Sequence, residues 1–363
     1  MVVSPLEEVQ KALGAVFTRC GDGVLAESYG DLNNEYSAAV QSCVVMDLSP
    51  WGKLRVSGEG GGALLNRCLT SDIERLAVGQ GVETALLDAR GYLRAQAVIY
   101  ALAGAWLLEA RPEAAGRLAE ALARAEEADR VVIEDLRPSW GLLSLQGPES
   151  AAALACLQIG APADGTIASA TLEGHPVLLA ARRRCAWPGF DLFATVAGLL
   201  DCWNAIAECG VRPAGVATLD VLRMEAGIPW YGVDLDESVS LLEAGLETHV
   251  TAGKRGYVGE EALTRARRRG DPPRRLRGLM LQGAALPARG AAVYADGRRV
   301  GHVTSAAYSP RLQRTVALAL LRRGFNQPGQ PVQIATEAGR VAGEVTEPPF
   351  VAERERQAVG SQG

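Results

Sequence analysis

Apolar residues recur along the first part of this chain with two kinds of spacing, one typical of strands and one typical of helices. Residues 44–58 and 81–100 show strand-like runs, and the second run is interrupted at Asp88-Ala-Arg-Gly91, a short glycine-containing loop typical of a hairpin. Residues 5–17 and 112–129 carry apolar positions at helical spacing, and the latter stretch opens with a proline. The pattern therefore predicts an α+β fold.

The succession of strand, glycine-containing turn and helix occurs twice in the chain. The first copy spans residues 44–69 and the second spans residues 141–157, with Gly147-Pro148 at its turn. Further strands and a helix over residues 197–208 follow the second copy. We interpret the two stretches as an internal duplication.

The composition changes between Thr264 and Arg277, where arginines surround the pair Pro272-Pro273. Consecutive prolines cannot continue a helix, so we expect a boundary here. Beyond it, short strands separated by glycines predict an all-β barrel. The arginines could contact RNA phosphates, but no aromatic residues alternate with them to stack on bases, so we interpret the segment as an exposed connector.

Composition and charge restrict the class of protein. At 363 residues the chain is long enough for two or three modules, and its 48% hydrophobic content is that of a globular protein. A net charge of -5 gives no overall attraction to a nucleic acid, and we expect no nucleic-acid partner. Seven scattered cysteines without a C-x-x-C pair, together with three histidines, predict reduced thiols and no metal site. With no signal peptide and no membrane-length apolar run, we expect a cytoplasmic protein.

The most informative stretch runs from Thr218 to Gly259. It begins with apolar residues at helical spacing, Leu219, Leu222 and Ile228, which predict a helix, and it brings Glu225 into an apolar neighbourhood just before the turn Pro-Trp-Tyr-Gly. A carboxylate in such a place needs a partner. That partner is either a ligand with paired hydrogen-bond donors or an internal guanidinium such as that of Arg223.

This stretch resembles the folate-binding signature of the glycine-cleavage T-protein (aminomethyltransferase) and YgfZ superfamily. The resemblance rests on the run L-R-x-E-A-G-x-P-x-Y-G-x-D-x-D-E, then E-x-G-L, then K-x-x-[FY]-x-G-x-E. Near the front, Asp47-Leu-Ser49 and Thr70-Ser-Asp-Ile73 are similar to the family opening, and Gly301-His-Val-Thr-Ser305 is similar to its C-terminal barrel. The resemblance therefore covers nearly the whole chain.

The resemblance implies a fold and its division into modules. It implies two intertwined α+β modules around a central folate funnel, followed by a C-terminal β-barrel. The boundaries we expect are residues 1–270 for the folate-binding region (approximately 1–50 with 140–270, and 51–139), 275–353 for the barrel and 354–363 for a flexible tail.

The resemblance also implies a ligand and the residues that hold it. A pterin presents a ring N–H and an amino group side by side, and the Glu225 carboxylate would accept both. The aminobenzoyl-glutamate part of the cofactor would lie near Lys254, Arg255 and Tyr257, and Tyr231 belongs to the same signature. The implied cofactor is tetrahydrofolate or another reduced folate, bound at Glu225, Tyr231, Lys254, Arg255 and Tyr257.

Two departures from the family pattern guide the expected function. The aminomethyltransferase branch has a catalytic acid in a G-x-x-D-D segment, whereas Gly91-Tyr-Leu-Arg-Ala-Gln96 contains no aspartate. The YgfZ branch has a cysteine where this chain has Gly256. We leave the catalytic residues unassigned and expect a monomeric, YgfZ-like, folate-dependent accessory factor that acts on iron-sulfur enzymes or in one-carbon metabolism. The alternatives are a tetrahydrofolate-dependent aminomethyltransferase or methyltransferase that works with a lipoyl carrier protein, and a degenerate member without catalysis.

Overall fold

The computed structural model describes residues 4–125 and 131–351, which form two compact units. The first unit comprises the described residues of Met1–Leu86, Arg94–Leu219 and His249–Tyr257. The second comprises those of Leu87–Leu93, Asp220–Thr248 and Val258–Gly363. The predicted tail, residues 354–363, lies outside the described residues, and the other predicted boundaries stay predictions.

The described residues of the first unit hold most of the helices and three β-sheets, one of them two-stranded and the other two large. In chain order its elements are α1 (Glu7–Ala12), β1 (Val16–Cys20), β2 (Gly23–Ser28), α2 (Leu32–Gln41), β3 (Val44–Asp47), β4 (Gly52–Ser57), α3 (Gly61–Cys68), β5 (Gly81–Leu87), β6 (Leu93–Leu102), β7 (Ala105–Ala110), α4 (Pro112–Ala123), β8 (Val132–Asp135), β9 (Trp140–Gln146), α5 (Ser150–Cys156), β10 (Ile167–Leu172), β11 (His175–Ala181), β12 (Gly189–Thr195), α6 (Val196–Glu208) and β13 (Arg212–Pro213).

The two large sheets share one connectivity. The five-stranded sheet has the order β5-β6-β7-β4-β8, and the six-stranded sheet has the order β10-β11-β12-β9-β3-β13. In both, a strand and a helix are followed by three antiparallel strands, the last of which pairs with the first strand. This repeated connectivity confirms the internal duplication. In the second copy, α5 and α6 cover one face of the sheet, where Leu143, Leu192 and Trp203 belong to a buried cluster.

The second unit contains the C-terminal barrel. Its elements are α7 (Val216–Glu225) from Asp220 onward, α8 (Leu241–Ala244), most of a 3-10 turn (Glu247–His249), α9 (Glu260–Arg268), β14 (Arg274–Leu281), β15 (Ala292–Ala295), β16 (Arg298–Ser309), β17 (Arg314–Arg322), β18 (Pro331–Thr336) and β19 (Gly339–Thr346). The barrel order is β14-β17-β16-β15-β18-β19, and β14 pairs with β19 to close it. Alternate residues of these strands, such as Leu279, Val303 and Ile334, fill its interior. The predicted all-β barrel and α+β fold are therefore confirmed.

Some predicted elements differ in extent from the observed ones. The hairpin over residues 81–100 is present as β5 and β6. The helix predicted over residues 5–17 ends at Ala12, because Gly14 adopts a left-handed conformation with φ +84° and the chain then enters β1. The helix predicted over residues 112–129 is observed over Pro112–Ala123, and residues 126–130 lie outside the described part of the chain.

The cysteines are not all reduced as predicted. Cys156 and Cys209 form a disulfide with their Cα atoms 6.0 Å apart. They stand at the ends of α5 and α6, which pack on the same sheet, so the fold brings together residues that lie 53 positions apart in the chain. The other cysteines of the described part of the chain are buried and form no disulfide; they are Cys20, Cys43, Cys68, Cys185 and Cys202.

Candidate functional site

Glu225 is the last residue of α7. Its side chain is 4% exposed, and its Oε1 accepts a hydrogen bond from Ser309 Oγ at 2.5 Å, at the end of β16. Its backbone carbonyl accepts the Phe350 N–H at 2.9 Å. The helix stops here because Gly227 takes a left-handed conformation with φ +69°, so Ile228 lies beyond the predicted helical face. The carboxylate is therefore fixed by contacts within the second unit.

Arg223 offered the simplest alternative partner for Glu225, but its guanidinium is directed to other carboxylates. Its side chain is fully buried and lies 2.6 Å from Asp234 and 2.7 Å from Asp220. The guanidinium also stacks on Trp230, 4.6 Å from the ring centre. Burial opposes the charge, but the two carboxylates raise the net pKa of Arg223 above its ordinary value. Arg223 therefore stays charged as part of a separate buried ion pair.

Asp234 is the centre of this buried group. One carboxylate oxygen accepts from Thr304 Oγ1 at 2.7 Å and also from the Ser305 hydroxyl. The other accepts from Arg223 and from the Trp230 N–H at 3.0 Å. Asp234 thus ties the turn after α7 to strand β16, and we name Arg223, Asp234, Thr304 and Ser305 the latch. The latch fixes the end of the helix that carries Glu225.

Tyr231 lies within the same turn of the second unit. Its side chain is 3% exposed, and its backbone forms a short bridge with Leu235. The next residue, Gly232, has φ +88°, a conformation that other residues rarely adopt. Tyr231 therefore lies in the turn that follows the helix ending at Glu225. The folate contact of Tyr231 stays a prediction.

Lys254, Arg255 and Tyr257 belong to the first unit. Lys254 is 9% exposed, and its ammonium donates to the Leu69 carbonyl at 2.7 Å and to the Ser71 carbonyl. Burial lowers the pKa of Lys254 to about 8, although Asp72 opposes the shift. Tyr257 is buried with its ring 5.8 Å from the ammonium, whereas Arg255 is exposed. Their predicted contacts with a folate tail stay predictions.

The hairpin between β5 and β6 contains an aspartate that has a structural task. The Asp88 carboxylate accepts the backbone N–H of Arg90 at 2.9 Å and that of Tyr92 at 3.0 Å. These bonds outweigh burial and lower its pKa. On β6 itself, Arg94 and Gln96 are half-buried and two residues apart, so they share one face of the strand. A cation and an amide thus occupy this face where the sequence comparison expected an acid.

The segment Arg182–Asp191 forms a buried charge cluster that the sequence analysis missed. Arg184 lies 2.5 Å from Asp191 and 3.3 Å from Glu109, and its guanidinium stacks 4.3 Å from the ring of Trp51. Three arginines in a row are usually an exposed surface. Here Arg184 is 6% exposed, and its buried charge is compensated by Asp191 on β12 and Glu109 on β7. The sequence signal that could have revealed this cluster is the presence of one carboxylate in each of two apolar strands, Glu109 in β7 and Asp191 in β12.

Two family models cover most of the chain. The GCVT N-terminal domain matches residues 6–254, and the glycine cleavage T-protein C-terminal barrel domain matches residues 274–352. The chain belongs to the glycine-cleavage T-protein family. An aminomethyltransferase of Streptomyces avermitilis is 34% identical over 89% of this chain and 90% of that protein. One of Synechococcus is 31% identical over 96% of this chain and 99% of that protein.

A solved structure supports the fold of this family member. The glycine cleavage system aminomethyltransferase T from Bartonella henselae superposes with a TM-score of 0.90 at 22% identity, covering 98% of both chains. At this identity the likeness concerns the fold alone.

The comparisons correct the expected function. The prediction of an accessory factor for iron-sulfur enzymes is wrong, because the matching relatives are aminomethyltransferases over nearly their whole length. The expected closeness to the YgfZ-like branch is not confirmed, since the matching models describe T-protein domains. Among the described residues, no helix is long and apolar enough to cross a membrane.

Proposed function

We propose that this protein is a tetrahydrofolate-dependent one-carbon transferase of the aminomethyltransferase class, with Glu225 recognising the pterin ring. The observation that carries the proposal is the placement of Glu225 on a helix end that the latch and Ser309 hold in position. A carboxylate has about four lone-pair sites, so a carboxylate can accept a hydroxyl group and the two adjacent N–H groups of a pterin at the same time. A fixed acceptor also costs little ordering entropy on binding.

The other proposed contacts concern the tail and the aromatic parts of the folate. We assign the carboxylates of the folate tail to Arg255 and Lys254, as the family resemblance implies; Arg255 is exposed, and the Lys254 ammonium also donates to two backbone carbonyls. Tyr257 and Tyr231 would supply ring surfaces to the aromatic parts of the cofactor. The other substrate in this proposal is an aminomethyl group on the sulfur of a lipoyl carrier. Its transfer breaks the C–S and C–N bonds and the N–H bonds of two folate nitrogens, and it joins the carbon to both nitrogens. The two protons pass to the departing sulfur and the departing amine, which leave as the thiol and ammonia.

A second candidate is a folate-binding member that no longer transfers the group. The observation that favours it is the absence of an aspartate from Gly91 to Gln96, together with the engagement of Asp88 in its own turn. General acid–base catalysis requires a proton donor or acceptor within hydrogen-bond reach of the reacting atoms. Binding and turnover therefore need separate measurements.

The binding experiment is a calorimetric titration of tetrahydrofolate into the wild type and into Glu225→Gln. Losing one charged acceptor should weaken binding about 10- to 100-fold, since hydrogen bonds to charged groups contribute roughly 1.5–3 kcal/mol. The matched control is Glu134→Gln, because Glu134 is a half-exposed carboxylate on β8. Equal affinity in the wild type and Glu225→Gln would refute the assignment of the pterin contact.

The turnover experiment supplies an aminomethylated lipoyl carrier and tetrahydrofolate and measures release of ammonia. The transferase proposal expects multiple turnovers by the wild type and a strong loss in Glu225→Gln. Tight folate binding without any ammonia release would overturn the transferase and leave the second candidate.

A further inference from the structure

The second copy of the duplication contains a short helix that few contacts hold in place. Helix α5 has seven residues, of which only Ser150, Ala153 and Leu154 are buried. An isolated helix of this length is unstable in water. Within the described part of the chain, its N-cap residue Glu149 makes no side-chain capping hydrogen bond. Helix α5 therefore depends on contacts made elsewhere in the first unit.

The chain that follows α5 buries little surface. Of residues 157–164, all of them described, Ile159 alone is buried. Regular contacts resume at the junction of the two large sheets, where the Gly165 carbonyl accepts the Gly81 N–H at 2.7 Å. We name residues 150–164 the α5 segment. Few buried side chains and an exposed backbone are typical of a segment that opens locally in a folded protein.

Helix α6, by contrast, is firmly held. It has thirteen residues, six of them buried, and Leu199 and Trp203 belong to the buried cluster of the second sheet. Cys156 is the last residue of α5, and Cys209 is the C-cap of α6. Their disulfide therefore fastens the weakly held α5 segment to a firmly held helix.

This disulfide also lies closer to solvent than the other cysteines of the described chain. Cys156 is exposed and Cys209 is half-buried, whereas the five other cysteines are buried. Burial raises the pKa of Cys20 to about 11 and that of Cys43 to about 12, so these thiols stay protonated near neutral pH. Because the thiolate is the reactive form, exchange with a dissolved thiol is expected at Cys156 and Cys209 ahead of the buried thiols.

We propose that the Cys156–Cys209 disulfide is a redox-sensitive staple, which a dissolved dithiol opens in the folded protein and which controls the order of the α5 segment. A thiolate of the dithiol attacks the sulfur of the exposed Cys156, the S–S bond breaks, and Cys209 leaves as a thiolate. The second thiolate of the dithiol then displaces Cys156, and the reagent leaves as its own disulfide. Two electrons and two protons thus pass from the dithiol to the two cysteines. The staple contains none of the residues proposed to contact folate.

Thiol counting tests whether the staple opens in the folded protein. Full-length protein is treated with dithiothreitol without denaturant, alkylated with iodoacetamide and analysed by mass spectrometry. We expect alkylation of Cys156 and Cys209, protection of the five buried cysteines, and a restored disulfide after transfer to oxidised glutathione. A disulfide that opens only in denaturant would overturn the staple. Seven free thiols in denatured protein that had been purified without reductant would overturn it as well.

Hydrogen exchange at short labelling times tests whether the staple orders the α5 segment. Reduction should speed exchange in residues 150–164 about ten-fold and should leave exchange in α6 unchanged at these times. In Cys156→Ser with Cys209→Ser the segment should exchange fast with or without dithiothreitol. The matched control is Cys68→Ala, which removes a buried free thiol and keeps the staple, so its response to dithiothreitol should be that of the wild type.

Two outcomes of the exchange experiment would overturn the proposal. One is an unchanged rate in residues 150–164 after complete reduction. The other is an equal acceleration in these residues and in α6, because the disulfide would then stabilise the unit as a whole and control no segment. The reduced wild type carries the test even if the double variant fails to fold.

Discussion

Removing the Asp234 carboxylate tests whether the latch holds the end of α7 in place. The side chains of Asp234 and Arg223 are both fully buried, at 0% exposure. In Asp234→Ala the guanidinium keeps only Asp220 as a counter-charge, and Asp220 is 40% exposed. The turn also loses the acceptor of the Trp230 N–H, and Ser305 loses its hydrogen bond to the carboxylate. A buried cation would therefore lose its best partner.

The expected loss of stability follows from burial. Breaking a buried ion pair by removing one partner costs about 3–5 kcal/mol, because the remaining charge stays buried without a counter-charge. Thr304 offsets part of the loss, since its hydroxyl also lies 3.2 Å from the Leu318 carbonyl. We therefore expect about 4 kcal/mol for Asp234→Ala. Asp220→Ala removes a solvent-screened partner of the same guanidinium and should cost less than about 1 kcal/mol.

Urea unfolding followed by circular dichroism measures both variants against the wild type. The double variant Arg223→Met with Asp234→Leu should be less destabilised than Asp234→Ala, because it leaves no unpaired buried charge. Tetrahydrofolate affinity should fall in Asp234→Ala at temperatures where the chain is still folded, since Glu225 loses its support. An Asp234→Ala loss below about 1 kcal/mol, or an equal loss in Asp220→Ala, would refute this account of the latch.

Three further perturbations follow from individual contacts. Replacing both Cys156 and Cys209 by serine opens a loop of 53 residues and should lower the unfolding free energy by about 4 kcal/mol on the chain-entropy model. A reductant should lower the melting temperature of the wild type but not that of the variant. Burial lowers the pKa of Lys53 to about 8 from 10.5, so the unfolded state binds more protons at Lys53 between these values, and this group should make stability rise with pH there by up to about 1.4 kcal/mol per unit. Urea midpoints of Lys53→Met should rise less steeply with pH than those of the wild type, because Lys254, whose pKa burial also lowers to about 8, keeps its own contribution. Gly259→Ala places a Cβ 2.6 Å from the Asp88 carbonyl at φ +88° and should lower the unfolding free energy by about 1–3 kcal/mol, more than Gly253→Ala, whose Cβ meets nothing within 4 Å.

Local signals made part of the fold predictable. The hairpin of β5 and β6 follows from the turn at residues 88–91, where Asp88 accepts two backbone N–H groups within four residues. The start of α4 follows from its proline and apolar spacing. The duplication was readable because each copy opens with a strand, a glycine-containing turn and a helix. Such signals depend on neighbours in the chain, so one sequence is enough to detect them.

Long-range contacts were the part that the sequence could not supply. The partners of Asp234 lie 70 and 71 residues further along the chain, at Thr304 and Ser305. The hairpin of β1 and β2 was missed because Phe17 fits the helical spacing of the preceding apolar residues, while Gly14 ends that helix. The ion pair of Glu83 and Arg182 was missed for the same reason, since these residues are 99 positions apart. Their pairing exists only after the two sheets have formed.

The signature that pointed to folate contains residues that stabilise the fold as well as a residue proposed to bind the ligand. A match to the motif therefore does not by itself predict ligand binding. Arg223 and Asp234 neutralise each other in the interior. Glu243 completes a capping box with Ser240 and pairs with Arg274 at 2.8 Å, so it also serves the fold. Glu225 is also buried and accepts the Ser309 hydroxyl, and its proposed task is to bind the ligand. A relative could thus keep most of the signature for stability after losing the ligand. Asp234→Ala should lose stability together with affinity, whereas Glu225→Gln should lose affinity first, and this contrast separates the two tasks.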